Sequence, residues 1–346
     1  MLPYVLKRLA WAVMVFIAVT LSTYIIFYVI PANRPQATRG NEVTKSTEQL
    51  TGLHGPVYRQ YEQFLQHIVT GGSMGQSTAT GEDVNAIMRR AVPITASLVF
   101  GGAIFWLMLA IPIGIISALR PRSLTDRASM IFILIGISVH PVWLALILNY
   151  LFAYKLHALP FAGYCDFFYP SLGQQCGGPT QWAYHLILPW MTFGLMFAAL
   201  YARMIRASVL ETLGADYVTT ARAKGASEWR VIRHHVLRNA ALPLITMLGM
   251  DLGLAFGGAV FIETVFGLPG IGSLAVRSLR RQDLPVLIAI IVLVTVAIII
   301  FNLIVDLLYA CLDPRVGYSP KGLDEEDRPR ASRARSREAA PQSVSA

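Results

Sequence analysis

Leu284-Pro-Val-Leu-Ile-Ala-Ile-Ile-Val-Leu-Val-Thr-Val-Ala-Ile-Ile-Ile-Phe-Asn-Leu-Ile-Val305 runs without a single charged side chain. A membrane-spanning helix needs about 20 apolar residues, because about 30 Å of hydrocarbon is crossed at about 1.5 Å per residue. Five more windows meet that requirement: Leu9–Ile30, Ile94–Leu119, Ala128–Tyr154, Leu186–Ala202 and Asn239–Ile262. Asp251, in the last of these, is the one acidic residue they contain. The composition agrees. Of 346 residues 55% are hydrophobic and 14% charged, where soluble chains carry about 25% charged residues, and the mean hydropathy is +0.53. These values exclude a disordered chain, a collagen, a disulfide-rich miniprotein and most soluble enzymes. The predicted fold class is an all-α integral membrane protein with six transmembrane helices. The first window, following Lys7 and Arg8, is too long for a signal peptide's apolar core and reads as a retained anchor.

The net charge of +9 could suggest nucleic acid, but in a membrane protein it is weighed by position. With both termini cytoplasmic, the inside segments hold 19 of the 29 Lys and Arg. Six of the remainder lie in the long loop 31–93, and long loops count less. An N-in, C-in chain with the bilayer as partner, and no nucleic acid, is the expectation. The chain then divides into an N-terminal span at 1–30, an extracytoplasmic segment at 31–93, a five-helix core at 94–317 and a tail at 318–346. The core includes a basic cytoplasmic loop at 203–238. The tail, a mixture of Arg, Glu, Ser and Pro, cannot bury enough surface to fold and is predicted to be disordered. In the external segment, Tyr58, Tyr61, Phe64, Leu65 and Ile68 fall at near-helical spacing and predict a short amphipathic helix. Pro112, Pro141, Pro189 and Pro243 lie within spans, where each can kink a helix. Cys165 and Cys176 share the external loop 155–184, where an oxidising compartment favours a disulfide between them.

The basic loop carries Thr219-Thr220-Ala221-Arg222-Ala223-Lys224-Gly225-Ala226-Ser227. Ahead of Gly225 the pattern predicts one amphipathic helix, and beyond it another, through Arg230, Arg233 and Arg238 to Pro243. Glycine permits the positive φ of a sharp elbow. Small neighbours would let that elbow approach another protein closely. On the residues alone, a docking foot and an ordinary solvated basic loop remain about equally good readings.

Several pieces in one order make the chain recognisable: Tyr4-Val-Leu-Lys-Arg-Leu9, Gly52-Leu-His-Gly-Pro56, Asp216-Tyr-Val-Thr-Thr-Ala-Arg-Ala-Lys-Gly225, Glu263-Thr-Val-Phe-Gly-Leu-Pro-Gly-Ile-Gly272, Asn302-Leu-Ile-Val-Asp306 and Asp313-Pro-Arg315. Over residues 1–317 the chain resembles permease subunits of binding-protein-dependent ABC importers. Within them it is similar to the B-type (DppB/OppB-like) members of the dipeptide/oligopeptide/nickel branch. The resemblance implies a type I importer permease fold (MetI-like) in a bacterial inner membrane. It also implies a C-type permease as second half, two cytoplasmic ATPases docked on the loops, and an extracytoplasmic binding protein delivering substrate. Ala221–Ser227 would be the coupling helix. The chain itself would be no enzyme and would hold no cofactor or metal, and it has no G-x-x-x-x-G-K-[ST] phosphate loop. Peptides are the implied cargo, with nickel or another small solute as the alternative. One departure limits the transfer. The general pattern places Glu-Ala-Ala where Thr219, Thr220 and Ala221 stand, so its glutamate contact does not carry over.

Weaker candidates remain. Asp251 is either a path residue facing a cation or a neutral packing group. Glu263, Gly267, Pro269 and Gly270 either shape an external gate or end a span. His140 reads better as a packing histidine than as a ligand. A remote enzyme reading pairs Asp251 with Asp306 as an intramembrane hydrolase, but HExxH is absent.

Overall fold

The computed structural model describes residues 2–29, 59, 61, 62, 65, 66, 74–168 and 176–312. Among these, the regular elements are helices: α1 (Leu2–Tyr24, continued by a π-helical turn Ile25–Val29), α2 (Val84–Leu119), α3 (Leu124–Ser138), α4 (Pro141–Leu148, continued by Asn149–Lys155), α5 (Pro179–Leu213), α6 (Asp216–Ala223), α7 (Leu237–Gly258), α8 (Val260–Val265), α9 (Ile271–Arg281) and α10 (Leu284–Leu312). Among the described residues, five helical runs are long and apolar enough to cross a membrane, or six when one bent pair is counted as a single span.

Two helix pairs form the centre, α2 with α5 and α7 with α10. Glycines set how closely they approach, since in an apolar solvent association depends on contact rather than on expelling water. A Cβ at Gly101 would overlap Trp190, one at Gly102 would press on Phe193, and one at Gly194 would overlap Phe105. In the second pair, Cβ atoms at Gly249 and Gly253 would meet Val305 and Ile298. α1 lies against α10. There Arg8 donates to Asp306 through Nε, and through Nη2 at 2.6 Å. Tyr61 from the segment 31–93 also rests on α1: its hydroxyl bonds Thr20 Oγ1 at 2.9 Å and its ring lies 5.5 Å from Tyr24. Tyr58, Phe64, Ile68, the tail 318–346, Gly52–Pro56 and Asp313–Arg315 lie outside the described residues.

The structure corrects the sequence reading at two places. Ala128–Tyr154 is not one straight span, because α3 and the run Pro141–Lys155 meet at a bend of 107°. Pro141 has no N–H to donate and pushes His140 out of the helical region, to φ −69 and ψ 137. His140 then caps α4, its Nδ1 accepting from the Val142 amide at 3.3 Å. Pro112, Pro189 and Pro243 sit inside continuous helices. Second, the segment 31–93 is not all loop: α2 begins at Val84, behind an Asp83 cap that accepts from the Asn85 amide. Helices flank Gly225 on both sides, with α5 running to Leu213, α6 before the glycine and the fifth span starting at Glu228.

Candidate functional site

The first candidate is the elbow between α6 and the helical run from Glu228. α6 ends in paired hydrogen bonds, from the Ala226 amide to the Ala221 carbonyl at 3.2 Å and from Gly225 to Arg222 at 2.9 Å. This 6→1 and 5→2 pattern is a Schellman stop and places its C′ residue in the left-handed region. Gly225 has φ +80. Thr219, Thr220, Ala221, Arg222 and Ala223 therefore lie on α6, while Lys224, Gly225, Ala226 and Ser227 form the turn. Ala221–Ser227 is thus not itself a helix. The helical foot is α6, displaced toward the N-terminus because the glycine closes it early.

The underside of the elbow is fastened. Val218, Val231 and Val236 are fully buried, and Ala221 and Ala226 pack against the core. The other side is open: Thr219, Thr220, Arg222, Ala223, Lys224 and Ser227 are exposed, and Trp229 is 70% exposed. Arg222 spans the turn to Glu228, with Nε to Oε1 at 2.8 Å and Nη2 to Oε2 at 3.2 Å. Nothing lies within 4 Å of a Cβ built at Gly225.

A separate ion pair joins three helices. Arg206 of α5 reaches Asp126 of α3, with Nε to Oδ1 at 2.8 Å and Nη2 to Oδ2 at 3.1 Å. Ser117 of α2 donates to the same carboxylate at 2.5 Å, and the Arg122 amide does so at 2.9 Å. Sequence reasoning missed this group. Its one local signal is Asp126 in the first turn of α3 behind a Ser123 cap.

At the opposite end lies the second candidate. Glu263 of α8 is fully buried and accepts from Thr95 Oγ1 at 2.5 Å and from the Ser273 amide at 2.9 Å. Thr95 Oγ1 in turn accepts from the Ile271 amide at 2.8 Å, so α2 and α8 together cap the start of α9. Burial pushes the Glu263 carboxyl above its ordinary pKa, opposed by the hydrogen bonds from Thr95, Ser273 and Gly272 and by nearby Arg277. Gly270 is required by space, because a Cβ there would collide with the Glu263 carboxylate. Gly267 is required by conformation, at φ +62. Beside it the Gly163 amide donates to the Phe266 carbonyl at 3.0 Å, docking the 155–184 loop onto this turn. That loop carries a disulfide between Cys165 and Cys176. Pro269 lines an adjoining cleft.

Asp251 lies apart from both candidates. It accepts from the Tyr201 hydroxyl at 2.7 Å, and Tyr201 is itself buried against Trp106. Asp306 is held by Arg8, so the two carboxylates have separate partners and do not form the pair that the hydrolase reading needs. Among the described residues, no three His, Cys, Asp or Glu side chains converge as a metal site requires.

Residues 110–318 match the family described as binding-protein-dependent transport system inner membrane component. Residues 1–99 match that family's N-terminal component. The chain belongs to this family. It is therefore a multi-pass inner-membrane permease, a transporter subunit rather than an enzyme. The permease is 33% identical to the dipeptide transport system permease protein DppB of Alkalihalophilus pseudofirmus over 92% of this chain and all of that one. It is 34% identical to the di/tripeptide transport system permease protein DppB of Pseudomonas aeruginosa, over 91% of this chain and 99% of the other. The glutathione transport system permease protein GsiC of Escherichia coli is also 34% identical, over 92% of this chain and all of that one. Among solved structures, an inward-facing MetNI methionine ABC transporter chain matches at TM-score 0.50 and 17% identity, covering 66% of this chain and 96% of the other. That likeness places the permease in the type I importer fold. As an ABC transporter component, it works with other subunits of such a complex.

Proposed function

We propose that the permease is the B-type half of a peptide importer. The observation that carries this reading is the run of end-to-end matches to permeases named for a dipeptide, di/tripeptides and glutathione. In this reading both termini are cytoplasmic, a C-type permease completes the path, and a binding protein delivers cargo from outside. Two ATPases dock at the two permeases' cytoplasmic loops. The elbow Thr219–Ser227 is the docking foot here: fastened below by Val218 and Val231, it offers small side chains, a basic rim and Trp229 outward. Closure of the ATPases would move α6, and with it α5 and the fifth span, between which it is strung. The Glu263 turn, with Gly267, Pro269 and Gly270, acts as the rigid outer support of the gate. Asp251 with Tyr201 stands at the path's middle.

The test is the assembled complex in proteoliposomes, assayed for ATP hydrolysis and uptake with its binding protein. A dipeptide should stimulate both, and nickel ions should stimulate neither. Stimulation by nickel alone would reverse the cargo assignment.

A further inference from the structure

Between α2, α9 and α10, beside the Glu263 turn, lies a cleft of about 300 Å³, at the lower end of small-ligand sites. Arg90, Arg277 and Arg281 line it, against two carboxylates, Glu82 and Asp283. Both acids are already engaged. Glu82 accepts from Arg90 Nη2 at 2.6 Å. Asp283 is buried and accepts from Ser77 Oγ, from the Thr78 amide at 3.1 Å and from Thr78 Oγ1 at 3.2 Å. Glu263, behind Arg277, is turned into Thr95 and Ser273. Arg277 uses one N–H on Ser273 Oγ at 3.1 Å, and among the described residues no carboxylate pairs with Arg281. Ile87, Leu274 and Val286 add apolar lining beside the arginines.

A guanidinium fork matches a carboxylate with two parallel N–H···O bonds. Apolar lining beside it suits a small organic acid better than a bare inorganic anion. We propose that this cleft receives the terminal carboxylate of a small peptide at the outer mouth of the permease, with Arg277 and Arg281 as its donors. The proposal rests on the peptide cargo and the N-in orientation of the preceding section. The cleft also adjoins the turn Gly267–Gly272 through Pro269, so an occupant would touch the element held by Glu263.

The experiment uses the assembled complex in nanodiscs without nucleotide. Phenylglyoxal modification of each arginine is followed by mass spectrometry, with Ala-Ala, Ala-Ala amide or unloaded binding protein present. Ala-Ala at several times its dissociation constant should slow modification of Arg277 and Arg281 by about five-fold, by simple mass action. Arg280, on the same helix but outside the cleft, should react unchanged. The Arg281→Gln complex should lose the protection of Arg277. Equal protection by the amide, or none by Ala-Ala, would overturn the proposal. So would protection by the unloaded binding protein alone, which would make the cleft a protein-docking surface. Uptake of Ala-Ala by the same complex is measured separately. If uptake fails while protection holds, the cargo assignment falls and the carboxylate site stands.

Discussion

Gly225 and Gly270 are both indispensable glycines, but for opposite reasons. Gly225 has φ +80 and empty space around it, whereas Gly270 has an ordinary φ of −85 and no space for a Cβ. The first belongs to a turn whose outer face is unoccupied, the second to a turn closed onto its own carboxylate. Buried polar groups left unsatisfied are costly, so the Glu263 turn has taken all its partners from within the chain. The elbow has satisfied its backbone and keeps Thr219, Thr220, Lys224 and Trp229 exposed. One end is finished, and the other keeps an exposed face.

Breaking the finished end should have the largest effect on stability. Glu263→Ala leaves the Thr95 hydroxyl and the Ser273 amide without an acceptor, at about 1–3 kcal/mol each. Thermal unfolding in detergent should show a clearly lowered midpoint, and an unchanged one would mean that the cap does not hold α9. Glu263→Gln separates charge from shape. The carboxyl's raised pKa means that folding favours the protonated form. Its contribution is therefore full below the ordinary glutamate pKa and is lost as pH rises through the folded value. Glu263→Gln should flatten that upward-pH loss, read as the difference between the two unfolding midpoints across pH.

Next comes the disulfide inside the 155–184 loop, the loop that docks on the same end through Gly163. Replacing Cys165 and Cys176 by Ser should cost about 2–3 kcal/mol in the chain-entropy account. In the unaltered protein, thiol labelling without reductant should find neither cysteine reactive.

At the open end the order of effects inverts, with little loss of fold and a large loss of work. Gly225→Asp should strain the elbow by about 1–2 kcal/mol, yet the spans should insert normally. Uptake, and either ATPase co-purification or stimulated hydrolysis, should fall. Normal uptake would show that the elbow is merely solvated. The smallest change is expected at the rim. Lys224→Ala, or Glu228→Ala breaking the exposed pair with Arg222, should cost under about 1 kcal/mol. Uptake by either variant should stay close to that of the unaltered complex.

The same comparison explains what was legible in the sequence. The elbow was readable because its geometry is local: Ala221, Arg222, Gly225 and Ala226 make its hydrogen bonds among themselves. The spans were readable because apolar length alone implies them. The Glu263 cradle was not, since its key partner Thr95 stands 168 residues earlier. The Asp126–Arg206 pair likewise joins residues 80 apart. Of Pro112, Pro141, Pro189 and Pro243, only Pro141 breaks its helix, and nothing in the residue itself says so. The difference lies in His140, whose ring replaces a lost backbone acceptor for the next turn.

The clasp between Arg8 and Asp306 joins residues 298 apart, and that separation has a consequence for biosynthesis. At about 5–20 residues per second of synthesis, Asp306 emerges from the ribosome roughly 15–60 seconds after Arg8. Throughout that interval the first helix lacks the last helix that it packs against. Bundle closure is therefore a late event, set by the arrival of the final helix. A chain terminated before α10 would lose the helix that α1 packs against.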